Sequence, residues 1–407
     1  MNYKLTTQIL IAMILGVFCG VLFQENSVVF KPIGDMFIRL LNMVMLPLVF
    51  ASLVVGVVNL GSVQSLGRLG TRTSIYYITT TFIAVLIGLI MVNFIEPGVG
   101  ANIDTSYSNL AIYTYEESSN AISVIGILEE IVPSNIFKSL TQENMLGIIF
   151  IALIFGSALL ALGSSGSHLK KVIEDFNNVF LKITDWIMVL APFGVFALVA
   201  SMVGSTGFEV LKPIFFYVAT VLIALITHLV FTLSGILIII VKYSPIVFLK
   251  KMFPAIATAF STDSSIVTLP VTMECIEKNI GVSKKVSSFM LPLGATINMD
   301  GTALYEAVAV VFIAQVFGFD MSITEQLIIM LTAMLASVGA AGIPSAGLVT
   351  MVIVLRSVNL PLEGIGLLLP VDRILDMFRT TVNIISDSCG AMVIATLEGE
   401  QLNSDNS

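Results

Sequence analysis

The stretch Ala336-Ser337-Val338-Gly339-Ala340-Ala341-Gly342-Ile343-Pro344-Ser345-Ala346-Gly347 breaks an apolar run of about 325–357 with small and turn-forming residues. A comparable segment covers 252–277. Lysines bracket it on both sides: Lys242, Lys250, Lys251, Lys278, Lys284 and Lys285. Because cytoplasmic loops carry the excess of Lys and Arg, we expect both flanks on one side of a membrane. We therefore predict two re-entrant helical hairpins, hairpin 1 at about 252–280 and hairpin 2 at about 325–357.

A long apolar helix containing polar residues follows each hairpin, at about 286–316 and about 364–397. The C-terminal half therefore has the order hairpin–helix, hairpin–helix, with the second pair entering from the opposite side as an inverted repeat. Short interrupted segments at matching places in two halves indicate the binding site of a transporter. The N-terminal half has no comparable interruption, and we interpret it as scaffold.

The composition is that of a polytopic membrane protein. The 407 residues are 57 % hydrophobic and 11 % charged, with a mean hydropathy of +1.00, whereas soluble domains are about 25 % charged. The net charge of −8 argues against nucleic-acid binding, which needs a basic face. A spanning helix needs roughly 20 mostly apolar residues. Eight such runs predict an all-α fold of eight transmembrane helices plus the two hairpins: about 5–24, 36–61, 74–95, 145–163, 177–204, 209–242, 286–316 and 364–397.

The remaining features place the chain in the membrane and argue against a hydrolase. The polar, acidic segment 97–144 is interpreted as an external insertion, and Lys4 and Arg72 are consistent with an inside N-terminus. No small-residue cleavage site follows the first run, so it is interpreted as a span and not a signal peptide. We expect a multi-pass protein of a prokaryotic inner (plasma) membrane. The three cysteines and two histidines are isolated, with neither metal-ligand nor disulfide spacing: Cys19, Cys275, Cys389, His168 and His228.

The last apolar helix carries a polar stripe. Asp376, Thr380, Asn383 and Asp387 recur at i, i+4, i+7 and i+11, with Arg379 beside Thr380. At 3.6 residues per turn these side chains share one helix face. Each charge at the centre of a membrane helix costs roughly 2.5–3.5 kcal/mol on insertion scales, so partners or ligands must face this stripe. An internal Asp–Arg pair is the alternative, but Asn383 and Asp387 add more oxygens than one Arg can satisfy.

Three further segments carry polar chemistry. Residues 294–302 break the preceding helix, and their unwound carbonyls with Asn298 and Asp300 suit a dehydrated Na⁺. In hairpin 1, residues 261–265 offer hydroxyls and backbone N–H groups at a helix N-terminus, which attracts a carboxylate. In the third span, hydroxyls lie about one turn apart and on their own are interpreted as core groups: Tyr77, Thr80 and Thr81.

Four motifs in order resemble the glutamate transporter, or dicarboxylate/amino acid:cation symporter, family over essentially the whole chain. They are Ser264-Ser265 before Thr268-Leu269-Pro270, Asn298-Met299-Asp300-Gly301-Thr302, the 336–347 hairpin, and the run from Asp372 to Asn383. The resemblance implies a homotrimer and an elevator-type transporter. It divides the chain into scaffold helices 1 and 2 (1–70), transport-domain helix 3 (71–96), the external insertion with scaffold helices 4 and 5 (97–208), and a transport domain (209–407). The last comprises helix 6, hairpin 1, helix 7, hairpin 2 and helix 8.

The resemblance also implies residue roles. Arg379 matches the arginine for the substrate side-chain carboxylate, and Asp376 matches the acceptor of the α-amino group. The other substrate-binding positions are Ser264, Ser265, Thr302, Ile343, Gly347, Thr380 and Asn383. One sodium site would comprise Gly294, Asn298, Asn383 and Asp387. A second would comprise Tyr77, Thr80, Thr81, Asn298 and Asp300, and a third, largely of carbonyls, Thr296, Met299, Ser337, Val338 and Ala340.

Arg379 and Asp376 together indicate the substrate. A guanidinium binds a carboxylate in a bidentate fork, and the family's neutral amino acid carriers lack this arginine. Asp376 offers a partner to an ammonium group, and the family's dicarboxylate carriers lack an aspartate there. We therefore predict Na⁺-driven import of L-aspartate or L-glutamate, with C4-dicarboxylate or neutral amino acid symport as alternatives. A channel would need a filter or charge ring, and an enzyme a nucleophile–base pair or metal cluster, and neither pattern is found in the sequence.

Three positions depart from the family's pattern. Asp263 replaces the arginine of archaeal carriers and the serine of vertebrate ones, and we predict an Asp263–Arg373 contact between hairpin 1 and the last helix. Glu306 is glutamine in the archaeal aspartate carriers and glutamate in the vertebrate carriers that also move a proton. Because low dielectric favours a protonated carboxyl, Glu306 is a candidate carrier of a co-transported H⁺, with a permanently protonated structural acid as the alternative. Ala340 replaces an archaeal threonine, which should matter little if backbone carbonyls hold the ion.

Overall fold

A computed structural model describes residues 3–59, 68–101, 132–141, 145–206, 211–339 and 346–403, and these residues form helices and no strand. The predicted all-α membrane fold is confirmed. The α-helices of six or more residues, numbered in chain order, are α1 (Tyr3–Phe23), α2 (Lys31–Asn59), α3 (Arg68–Ile95), α4 (Ile136–Thr141), α5 (Met145–Leu162), α6 (Ser167–Val189), α7 (Ala191–Thr206), α8 (Leu211–Thr227), α9 (Pro245–Thr262), α10 (Ser265–Glu274), α11 (Lys284–Ile297), α12 (Asp300–Val316), α13 (Ile323–Gly339), α14 (Ala346–Ser357) and α15 (Ile365–Leu397).

Six helical segments of the described residues are long and apolar enough to cross a membrane. They are Ile11–Phe37, Leu69–Ile95, Phe150–Phe180, Lys212–Val241, Lys284–Val316 and Val371–Leu397. The total of eight transmembrane helices stays a prediction.

One predicted span is wrong in its extent. The apolar run 177–204 is not a single helix, because α6 ends at Val189 and α7 begins at Ala191. At the junction Leu190 N–H donates to Ile187 O over 2.9 Å, a tightened last turn. Pro192 has no N–H for a continuing helix, so it sits in the first turn of α7, where proline is tolerated.

Both predicted hairpins are present as helix pairs among the described residues, and their re-entry into a membrane stays a prediction. Hairpin 1 pairs α9 with α10, which continues as a π-helical segment to Ile280, and it turns at Asp263, whose φ is +50°. Its first arm begins at Pro245, seven residues before the predicted start, because Ser244 and Pro245 form a favourable helix N-terminus. Hairpin 2 pairs α13 with α14, and its tip at 340–345 lies outside the described residues.

The helix broken at its middle is also confirmed. α11 ends at Ile297, Asn298 and Met299 are not helical, and α12 begins at Asp300. Sixteen of the seventeen residues of α12 are buried, as expected for a helix that is apolar on nearly every side. α12 packs against α3, α8, α13, α14 and α15. The break therefore lies inside the protein.

Helix contacts concentrate in two groups, which also touch each other, since α2 packs on α13 and α14 and α7 packs on α15. α1 packs on α7, and α2 packs on α5, α6 and α7. α3 and α8 pack on α12, while α9 and α11 pack on α15. The second group contains both hairpins and the broken helix, so it holds the polar residues singled out by the sequence.

Candidate functional site

The polar stripe of α15 faces the break between α11 and α12. Asn383 Oδ1 accepts a 2.8 Å hydrogen bond from Gly301 N–H, and its amide nitrogen donates to Thr302 Oγ1 over 3.3 Å. Asn298 Nδ2 donates to Asp387 Oδ1 over 2.8 Å. Thr380 is buried on the same helix. The predicted stripe is therefore a buried contact surface for the unwound residues.

Arg379 is fully buried between two carboxylates and an aromatic ring. Its Nη2 lies 2.8 Å from Asp376 Oδ1 and 3.0 Å from Asp372 Oδ1. Its guanidinium carbon lies 3.8 Å from the centroid of the Tyr305 ring. Such packing is required, because burial of an unpaired charge is strongly unfavourable.

The guanidinium nevertheless retains hydrogen-bonding capacity. Within the described residues none of its three nitrogens makes a hydrogen bond of good geometry, although two carboxylates are at ion-pair distance. Gly347, at the start of the second arm of hairpin 2, lies so close that a Cβ there would be 2.7 Å from Arg379 Nη1. The donors of Arg379 can therefore bind a planar carboxylate in a fork, with hairpin 2 directly beside them. Ile343, predicted for the same site, lies outside the described residues.

The tip of hairpin 1 supplies a second group of donors. Ser264 caps α10, its Oγ accepting from Val267 N–H over 3.2 Å, and Ser265 is the first residue of that helix. Both serines are buried. A helix N-terminus with hydroxyl groups can bind a carboxylate through its unpaired N–H groups.

The predicted pair between hairpin 1 and the last helix is confirmed. Arg373 Nη2 lies 2.8 Å from Asp263 Oδ2. Both side chains are almost entirely buried.

Asp300 is the centre of a compact oxygen cluster. Its two carboxylate oxygens accept hydrogen bonds from Thr81 Oγ1 over 2.7 Å and from Ser386 Oγ over 2.6 Å. Thr80 Oγ1 lies 3.4 Å from Asp300 Oδ1 and 3.5 Å from Asn298 Oδ1. Carboxylate, amide and hydroxyl oxygens of this kind, beside unwound backbone, suit Na⁺.

A second carboxylate lies next to this cluster. Asn298 Nδ2 also donates to Ser386 Oγ over 3.1 Å, so Asn298 connects the surroundings of Asp300 to Asp387. A Cβ on Gly294 would lie 2.4 Å from Asp387 Oδ1 and 2.7 Å from Tyr77 Oη. Only glycine therefore allows α11 to come this close. Tyr77 itself donates to Met290 O over 2.8 Å.

The side chains of the residues predicted for a third sodium site do not converge on one another as those around Asp300 do. Thr296 Oγ1 donates to Leu293 O and Ser337 Oγ to Met334 O, each over 2.9 Å within its own helix. Met299 is buried and its sulfur accepts from Asn383 Nδ2 over 3.3 Å. Val338 lies in the last turn of α13, and Ala340 lies outside the described residues. Backbone carbonyls are what these positions can offer.

Glu306 lies one turn after Thr302 on α12 and is fully buried. Its Oε1 accepts a hydrogen bond from the hydroxyl of Thr350 on α14, in the second arm of hairpin 2. Its Oε2 has no hydrogen-bond partner in the described part of the chain. A carboxyl at this place can carry a proton and is in contact with a hairpin.

The comparison with known proteins matches this architecture. The model of the sodium:dicarboxylate symporter family matches residues 5–397. The chain belongs to the sodium:dicarboxylate symporter family.

Curated relatives of this symporter align over nearly the whole chain. The proton/sodium-glutamate symport protein of Geobacillus stearothermophilus is 38 % identical over 97 % of this chain and 95 % of its own length. The proton/glutamate-aspartate symporter of Escherichia coli is 34 % identical over 98 % and 93 %. Human excitatory amino acid transporter 3 is 34 % identical over 96 % and 85 %.

Sequence reasoning missed two side chains of the symporter's oxygen cluster. His228, interpreted as isolated, is fully buried with Nε2 3.2 Å from Asp300 Oδ2. It lies in a π-helical segment after α8, and no sequence spacing could connect it to Asp300. Ser386 could have been found, because it follows Asn383 by three residues and therefore lies near the same face of α15.

Proposed function

We propose that this symporter imports the acidic amino acids L-aspartate and L-glutamate by secondary active transport driven by Na⁺. The observation that carries the proposal is Arg379. It is fully buried, and it lies beside Asp376 and against hairpin 2. A buried cation with unused donors fits the extra carboxylate of an acidic side chain, and the names of the relatives support the same substrates.

The substrate would be held from three sides. Arg379 would bind the side-chain carboxylate, Asp376 the α-ammonium, and Ser264 and Ser265 with the N-terminus of α10 the α-carboxylate. Lining positions would be Thr302, Ile343, Gly347, Thr380 and Asn383. The contacts of Asn383 with Gly301 and Thr302 support a pocket that includes the helix break.

Sodium ions would bind at the two carboxylates next to the break. Asp300 with Tyr77, Thr80, Thr81 and Asn298 would form one site, and Asp387 with Gly294, Asn298 and Asn383 another. Because Asn298 hydrogen-bonds Asp387 and Asn383 hydrogen-bonds Gly301, ion binding would order the same residues that line the substrate pocket. This shared residue set is the physical basis we propose for coupling. A third ion would bind carbonyls of Thr296, Met299, Ser337, Val338 and Ala340.

Glu306 would carry a co-transported proton. The contact with Thr350 supports this role, since release of the proton would change a bond between α12 and hairpin 2. The relatives named proton/sodium and proton/glutamate symporters support H⁺ as a second coupling ion.

We further propose a homotrimer with elevator-type motion. The two groups of helix contacts support a division into scaffold (1–70 and the helices within 97–208) and transport domain (71–96 and 209–407). Within the transport domain, hairpins 1 and 2 would close the pocket from opposite sides.

Uptake into proteoliposomes tests the proposed function. Radiolabelled L-aspartate should accumulate only with an inward Na⁺ gradient, and unlabelled glutamate should compete while serine and succinate should not. Competition by succinate would favour a C4-dicarboxylate carrier, and competition by serine a neutral amino acid carrier. Uptake independent of Na⁺ would contradict the sodium sites and leave H⁺ as the driving ion.

A further inference from the structure

Asp263 places a carboxylate at the tip of hairpin 1, where the proposed pocket receives an anion. It ends α9 in the left-handed conformation, with φ +50°, and directly precedes Ser264, which caps α10. Its side chain is 4 % exposed and is in contact with α15 through Arg373. An uncompensated negative charge here would repel an acidic substrate.

Arg373 compensates this charge. Its Nη2 lies 2.8 Å from Asp263 Oδ2, and its side chain is 9 % exposed. The other oxygen, Asp263 Oδ1, is buried without a hydrogen-bond partner among the described residues. Phe260 and Phe378 make an edge-to-face contact, with centroids 5.2 Å apart, between the same two elements. The pair is therefore held in a fixed, largely dehydrated place.

The two arginines of α15 differ in their partners. Arg379 is paired with acidic residues of its own helix, whereas Arg373 is paired with a residue of hairpin 1. With Asp263 present, the charge of Arg373 is cancelled before the substrate binds. Without the Asp263 charge, Arg373 would add to the positive potential at the pocket, so an acidic substrate would bind more tightly and leave more slowly.

We propose that the Asp263–Arg373 pair sets the selectivity of the pocket for acidic over neutral amino acids by fixing the charge that the substrate meets. Both are positioning residues that act through their charge and not as substrate ligands. The inference rests on the proposed function and adds a determinant of substrate preference to it.

The size of the effect follows from Coulomb's law. At an effective dielectric constant near 20, two unit charges about 10 Å apart change a binding affinity by roughly tenfold. A neutral side chain of the same shape should be affected far less. Aspartate and asparagine form such a pair, because they differ chiefly in side-chain charge.

The experiment is a double-mutant cycle on the purified full-length protein in saturating Na⁺. Inhibition constants of aspartate and asparagine are measured against labelled aspartate for the wild type, Asp263→Asn, Arg373→Gln and the double variant. The ratio of asparagine to aspartate constants should rise about tenfold in Asp263→Asn and fall about tenfold in Arg373→Gln. In the double variant it should return to within about twofold of the wild type, since the two charge changes cancel.

Asp263→Asn should keep the backbone, because asparagine tolerates the left-handed conformation. It therefore tests the inference by itself if Arg373→Gln does not fold. The matched control is Glu274→Gln/Lys278→Gln, which removes the exposed 2.7 Å pair at the outer end of the second arm of hairpin 1, and it should leave the ratio unchanged.

Parallel loss of affinity for both ligands, with an unchanged ratio in the single variants, would overturn the inference and leave the pair as a structural tie only. If the wild type binds aspartate but the ratio of asparagine to aspartate constants is unchanged in Asp263→Asn, this inference alone is contradicted. Wild-type protein that does not bind aspartate in Na⁺ contradicts the proposed function and this inference together.

Discussion

Two kinds of apolar helix in this symporter have similar hydropathy and opposite surroundings. In Lys284–Val316 and Val371–Leu397, 94 % and 83 % of the residues in the most apolar 18-residue stretch are buried. In Ile11–Phe37 and Phe150–Phe180 the corresponding shares are 17 % and 22 %. Hydropathy thus identifies segments that can cross a membrane, but it does not distinguish helices inside the protein from those on its surface.

Buried charged residues make the distinction. The inner helices contain Asp300, Glu306, Asp376, Arg379 and Asp387, all buried. The outer helices instead expose large apolar side chains, such as Phe18 and Phe155. Charges in a membrane segment are tolerated where protein groups or ligands face them, so the buried helices are the ones that can carry function. The predictions below test this difference, from the largest expected effect to the smallest.

Arg379→Gln should lower aspartate uptake by about 100-fold or more. The substitution removes the cation that binds the substrate and the ion-pair partner of the buried Asp372 and Asp376 carboxylates, and breaking a buried pair costs about 3–5 kcal/mol. Initial uptake rates in proteoliposomes, normalised to the amount of protein, measure the effect. Arg72→Gln is the control, because Arg72 pairs with Glu398 at a partly exposed site, and it should change uptake by less than about threefold. Equal losses in both variants would contradict a special role for the inner helix.

Gly294→Ala should raise the Na⁺ concentration for half-maximal uptake by about thirtyfold, corresponding to an overpacking cost of about 2 kcal/mol. The added Cβ would lie 2.4 Å from Asp387 Oδ1. Gly235→Ala is the matched control, since a Cβ there has no neighbour within 4 Å. If both variants keep wild-type Na⁺ dependence, the close approach of α11 to α15 is not part of the ion site.

Asp300→Asn should raise the half-maximal Na⁺ concentration by about tenfold. The amide lacks the negative charge of the carboxylate, which accepts hydrogen bonds from the hydroxyls of Thr81 and Ser386. Hydrogen bonds to a charged group contribute about 1.5–3 kcal/mol. Sodium titrations of aspartate uptake measure the shift. Asp320→Asn, at an exposed loop position, should leave the titration unchanged, and an equal shift there would indicate a general charge effect.

Glu306→Gln should change uptake at neutral pH by a few-fold at most and remove its dependence on external pH. If the carboxyl carries a proton, acidification of the outside raises wild-type uptake, whereas the amide has no proton to lose. Glutamine keeps the size of the side chain and retains an oxygen that can accept the hydrogen bond from the Thr350 hydroxyl. Uptake measured between pH 5.5 and 8 decides this point. A variant that retains the wild-type pH profile would show that Glu306 is a structural acid.

Much of the inner region could be predicted from the sequence because its features are local. The stripe of α15 follows from helical spacing, and the break at Asn298 follows from residues that tolerate unwound backbone. The Asp263–Arg373 contact could be predicted because each charge needed a partner inside the membrane, and 2.8 Å separates them in the structure.

The rest depends on contacts between distant segments. The partner of His228 lies 72 residues away on another helix, and nothing in the local pattern indicates it. The division of 177–204 into α6 and α7 was missed because both sides of Leu190 are apolar and only the tight turn before Pro192 separates them. Hairpin 1 begins at Pro245 and not at 252, because Ser244 and Pro245 start the helix before the lysines that suggested its boundary.

The dependence of aspartate binding on Na⁺ at equilibrium tests the central claim most directly, since it requires the two kinds of site to share residues of the inner helices. Titrations of the purified protein with aspartate at several Na⁺ concentrations give the linkage without transport. Affinity should rise steeply with Na⁺, and by reciprocity aspartate should tighten Na⁺ binding by the same factor. An aspartate affinity that does not change with Na⁺ would contradict the coupling of Arg379 to the Asp300 and Asp387 clusters.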